Sequence, residues 1–168
     1  MKSTIVYGIL KRNLSDCVSG ESFKPKKTSY PLWVKDCGEG SVLLGFKVDS
    51  KYSFDEVSGG RFSMTLLKCK GEEVSPDDYL TAKSMSDILD GDKVLEFLKI
   101  KNAIIDKLII SSRNSGFPED AIDAWCNTLN RERLDAEVSY EFPYLDSMDV
   151  ESWSLFLSEN FSSMLKRL

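Results

Sequence analysis

The 168-residue chain is predicted to fold as one α+β domain: an N-terminal helix, an antiparallel sheet of three to four strands, and C-terminal helices packed on one face. Two observations predict it. Apolar residues recur first at helical, then at alternating, then again at helical spacing, and no linker, repeat or low-complexity run divides residues 1–168. A composition 42% hydrophobic and 11% aromatic provides enough apolar surface to offset chain entropy without disulfide or metal staples.

Val6, Ile9, Leu10, Leu14 and Cys17 share one helical face over residues 3–18, with Lys11, Arg12 and Asp16 on the other. Three strand-like segments follow, Tyr30 to Asp36, Ser41 to Asp49 and Arg61 to Cys69. The second alternates Val42, Leu44, Phe46 and Val48, and the third Phe62, Met64 and Leu66, so each is expected to bury one face. Gly38-Glu39-Gly40 and Ser58-Gly59-Gly60 supply the positive-φ positions of hairpin turns. Beyond residue 75 the periodicity turns helical. A short acidic helix is expected over Pro76 to Leu89 and a longer one over Asp92 to Ser111. A third should begin at Pro118, with Ala121, Ile122, Trp125, Cys126 and Leu129 inward and Arg131 and Arg133 near its end. Val138, Tyr140 and Phe142 alternate up to Pro143 as an edge strand. The closing helix starts near Ser147 or Asp149 and buries Val150, Trp153, Phe156, Leu157, Phe161, Met164 and Leu165.

The net charge of −5 is unevenly divided. Residues 1–75 carry 12 Lys/Arg and 9 Asp/Glu, a net of +3; residues 76–168 carry 10 and 18, a net of −8. The acidic half would repel phosphates and attract a partner with a basic surface. Lys24, Lys26 and Lys27, near Phe23, Tyr30 and Trp33, form a small basic-aromatic patch, but the pI of about 4.9 argues against nucleic acid as the main ligand. No stretch approaches the roughly 20 apolar residues of a membrane span. The N-terminal apolar stretch is broken by Lys11 and Arg12, so a cytoplasmic location without a membrane is expected.

The chain contains no histidine, which removes the commonest general base and metal ligand. Cys17, Cys37, Cys69 and Cys126 are too scattered for a zinc set and read as small core residues. Ser163 and Lys166 have Ser-x-x-Lys spacing but end an amphipathic helix. Glu96 and Lys99 imitate half of a metal-nuclease motif with one residue too many. Asp77, Asp78, Asp87, Asp90 and Asp92 lack calcium-loop spacing. No catalytic, cofactor or metal residue is therefore assigned.

Ser22-Phe23-Lys24-Pro25, Leu32-Trp33, the strand through Phe46, Gly60-Arg61-Phe62-Ser63-Met64-Thr65-Leu66, and Phe142-Pro143-Tyr144-Leu145-Asp146-Ser147 before a closing helix occur in an order that resembles the bacterial family called domain of unknown function 4304. The resemblance covers roughly residues 1–70 and 140–168. Ser22 stands where that family usually has Gly, and Met64-Thr65 replaces Val-Asn. It implies a binding role of the kind suspected for immunity proteins encoded beside bacterial toxins, and carries over no catalytic residues. The expected function is a non-catalytic protein-binding module, an immunity protein that occludes a toxin's basic active site. An accessory subunit of a bacterial or phage defence assembly is the alternative, and a carboxylate-dependent metal enzyme on phosphodiesters the third reading. The partner-binding residues are expected to be Glu119, Asp120, Asp123, Glu132 and Asp135.

Overall fold

The computed structural model describes residues 1–38, 40–49, 59–69, 83–129 and 140–168, and the backbone of 79–81. Among these, α1 (Ser3–Gly20) leads into β1 (Lys24–Pro25), β2 (Leu32–Asp36), β3 (Ser41–Val48), β4 (Gly60–Cys69) and β5 (Tyr79–Thr81). Then come α2 (Met85–Ile88), α3 (Gly91–Asn114), α4 (Glu119–Leu129), β6 (Tyr140–Tyr144) and α5 (Ser147–Arg167). The expected α+β architecture is present, with more strands than anticipated.

The strands form one antiparallel sheet in the order β1-β2-β3-β4. β3 occupies one edge of β4, so β5 and β6 share the other: β6 pairs along Gly60 to Met64, β5 at Lys68 and Cys69. The register puts three rows of side chains on one face: Trp33, Leu44 and Leu66; Phe46, Met64 and Tyr140; Val48, Phe62 and Phe142. The first hairpin turns at Gly38 (φ +83°), whose N–H donates to the Asp36 carboxylate over 2.9 Å. Gly59 (φ +67°) precedes β4, and a Cβ there would overlap the carbonyl of Tyr144.

Those rows face a helical layer. Arg12 meets Glu151, Asn13 meets Ser154 and Glu21 meets Ser162, so α1 and α5 run parallel and adjacent. Asp90 pairs with Arg167 and Lys107 with Asp149 at the opposite end, so α3 runs antiparallel to α5. Asp146 opens α5 by accepting the N–H groups of Met148 and Asp149, and Asp149 returns a carboxylate oxygen to the Asp146 N–H, a reciprocal cap. Trp153 and Phe156 of α5, Phe97 of α3, and Phe142 of β6 interlock with ring centroids 5.1 to 6.4 Å apart. Each such fully buried side chain contributes about 1.5–3 kcal/mol of transfer free energy.

Several expectations are corrected. Among the described residues of Pro76 to Leu89, 79–81 form a strand and Met85–Ile88 a short helix; pairing with the end of β4 overrides the local helical pattern. β3 buries both faces from Ser41 to Phe46, because Leu43 joins Val34, Leu67 and Cys69 in a second cluster on the opposite side of the sheet. Of the cysteines only Cys69 is buried; Cys17 and Cys126 are half-buried and Cys37 is exposed in the hairpin. Ala121 faces water, and the inner side of α4 rests on Ile122 and Leu129, with Trp125 and Cys126 half-buried. Arg131, Arg133 and Val138 lie outside the described residues.

The end of α1 shows how a helix terminus places an aromatic ring. The N–H of Phe23 donates to Val18 O (3.1 Å) and that of Ser22 to Ser19 O (3.0 Å), the paired bonds of a Schellman stop. That geometry forces Ser22 to φ +66°. Phe23 then lands beside Val18 and packs on Phe161, with ring centroids 5.5 Å apart. A left-handed residue with a Cβ costs about 1–2 kcal/mol that glycine avoids, although glycine also loses more chain entropy. Ser22→Gly is therefore expected to raise the urea unfolding free energy by about 0.5–1 kcal/mol; a destabilised variant would contradict the reading of this turn.

Candidate functional site

The same chain reversal recurs where α3 gives way to α4, with a different outcome. Phe117 N–H donates to Ser112 O (3.1 Å) and Gly116 N–H to Arg113 O (3.0 Å), with Gly116 at φ +80°. In this motif the apolar residue after the stop usually packs on the last helical turn. Here that turn offers Ser111 and Ser112, and Phe117 stays 39% exposed, against 5% for Phe23. Ile110, one turn before Arg113 on α3, is 57% exposed. Its neighbour Ile109 is half-buried against the core, whereas Ile110 points into solvent.

Pro118 leads directly into α4: it has no N–H to satisfy, and its carbonyl accepts from Ala121 and Ile122 N–H at 3.1 Å each. The reversal carries Glu119 back to Arg113. Arg113 Nε donates to Glu119 Oε1 and Nη2 to Oε2, both at 2.8 Å, in a two-pronged pair. The hydrogen bonds from Arg113 hold the Glu119 carboxyl below its usual range, and those bonds with the charges of Glu119 and Asp123 raise Arg113. Both side chains are more than half exposed, so this pair fixes geometry more than it stabilises the fold.

Of the five expected partner-binding residues, the structure places three on one corner. Glu119 is committed to Arg113, while Asp120 and Asp123 are exposed on α4. Glu132 and Asp135 lie outside the described residues. The ion pair of Glu119 was not foreseen: the sequence shows Arg113 six residues away, but the Gly116 turn makes it a partner.

The other motifs resolve into structural roles. Asp87 caps α2 by accepting from the Ser84 N–H (3.0 Å), and Asp90 pairs with Arg167. Glu96 sits on α3, bound to Lys93 at 2.7 Å. Asp77 and Asp78 lie outside the described residues. Among the described residues no group of three His, Cys, Asp or Glu can hold a metal ion. Lys24, Lys26 and Lys27 are exposed, but Phe23 and Trp33 are buried, Trp33 edge-on against Phe46. Two of the three rings that could have stacked on bases are therefore core residues.

Sequence reasoning passed over two buried cations. Arg61 bridges three strands: its guanidinium meets the Asp49 carboxylate after β3 at 3.2 Å and Glu141 of β6 at 3.0 Å. Lys101, on the inward side of α3 between Phe97 and Ile104, is only 3% exposed. Arg61 lies in the Gly60–Leu66 stretch quoted for the resemblance, without a signal for its ion pairs, and Lys101 lies in none of the motifs considered. No helix among the described residues is long and apolar enough to cross a membrane.

No family model, curated protein or solved structure matches the chain, so the resemblance to domain of unknown function 4304 rests on the quoted residues.

Replacing Arg113 with alanine removes both hydrogen bonds to Glu119. The Glu119 carboxyl is then expected to titrate at higher pH, back toward the ordinary glutamate range, when followed by NMR of the side-chain carboxyl carbon. An unchanged titration would show that the pair does not hold in solution.

Proposed function

We propose that this protein is a non-catalytic protein-binding module, an immunity protein of the cytoplasm that neutralises a toxin by covering a basic active site. The observation that carries the reading is the exposed acidic face of α4, where Asp120 and Asp123 lie in solvent beside the Arg113–Glu119 pair. Carboxylates on a rigid helix attract a cationic surface at long range and fix its orientation on contact. The net charge of −8 over residues 76–168 adds to that field. Burial of Phe23 and Trp33 weakens the nucleic-acid alternative, because it leaves Tyr30 as the one accessible ring of that patch. An accessory subunit in a defence assembly would use the same face against a larger partner.

Co-expression tests the reading directly. The wild-type chain should restore growth to cells producing the toxin encoded beside its gene, and the double variant Asp120→Lys, Asp123→Lys should lose most of that protection while remaining folded. For the purified pair, the association rate of the reversed variant should fall at least about tenfold at low salt. Absence of protection by the wild-type chain, or full protection by the reversed variant, would remove the basis of the proposal.

A further inference from the structure

Resting on that reading, we infer that the contact is anchored at the α3–α4 corner. Phe117 and Ile110 would be the apolar anchors, and the occupant a partner segment carrying lysine or arginine beside an apolar side chain. Phe117 and Ile110 are large apolar groups in solvent, 39% and 57% exposed, and the Schellman stop of α3 offers Phe117 the polar Ser112 where the stop of α1 offers Phe23 the apolar Val18. Both sit on rigid backbone. Phe117 is tied by its N–H to Ser112 O, and the Arg113–Glu119 pair staples the two helices across the turn, so ordering these side chains costs little on binding.

Charge identifies what covers them. Glu119, Asp120 and Asp123 border the corner, and the cation of the α3 end, Arg113, is already held by Glu119. An apolar partner residue could pack on Phe117 or Ile110 while an adjacent cation reaches Asp120 or Asp123. An acidic or purely apolar segment would leave those carboxylates desolvated and unpaired. Desolvated aromatic anchors ringed by polar groups are the usual carriers of interface energy.

Site-specific photocrosslinking in the native host tests this. A benzoylphenylalanine is placed at position 117 and, in a separate full-length chain, at Leu155 on the outer face of α5; crosslinked peptides are read by mass spectrometry. The inference expects crosslinks from position 117 to one partner segment bearing lysine or arginine beside an apolar residue, and none to that segment from position 155. For the partner so found, Phe117→Ala should weaken binding by about thirtyfold with the thermal midpoint unchanged. Crosslinks from position 155 alone, crosslinks from 117 to a second copy of this chain, or a neutral or acidic segment at 117 would overturn the anchor while leaving a protein-binding role intact. No protein crosslink from either position, combined with no protection in the co-expression assay, would overturn both.

Discussion

The structure depends on one buried indole. Trp153, fully buried on α5, donates its Nε1–H to the carbonyl of Pro143 at 2.8 Å, and its ring contacts Phe97 and Phe142. Pro143 has no N–H to give a ladder, which confines it to an edge strand. Its carbonyl is buried and takes its hydrogen from a helix. Left without that donor, the carbonyl would cost about 1–3 kcal/mol. One side chain thus satisfies the backbone of β6, joins β6 to α5, and sets the position of α3 through Phe97.

From that junction the rest of the layer follows. β6 covers the N-terminal half of one edge of β4, and its Phe142 stacks on Phe62 with centroids 5.0 Å apart. Arg61 reinforces the seam from the other face by bridging Asp49 and Glu141. α5 lies between α1 and α3, held to each by polar contacts near its ends. The corner that carries Phe117 is the far end of α3, so its aim is fixed by the same junction.

Much of this was legible in the sequence because the signals were local. The helical stripe of α1, the alternation of Phe62, Met64 and Leu66, and the apolar face of α5 each follow from the period of one element. What escaped was non-local. β5 exists because the end of β4 has a free edge, a fact absent from the Tyr79-Leu80-Thr81 stretch itself. The fates of Phe23 and Phe117 look alike in sequence, an aromatic following a helix and a turn. They part because Phe23 packs on Phe161 of α5 while Phe117, whose stop ends on Ser112, stays 39% exposed. The candidate acidic face was half legible: composition located the charge, but the Gly116 turn decided that Glu119 pairs with Arg113 while Asp120 and Asp123 are exposed on α4.

Native-state hydrogen exchange on the full chain tests the claim that the Trp153 junction makes β6, α3 and α5 one cooperative unit. Amide groups of Phe142, Phe97 and Phe156 should exchange only through global unfolding, with equal free energies that fall together in a Trp153→Phe variant. Exchange of the Phe142 amide through a low-energy local opening, with α5 and α3 still protected, would contradict it.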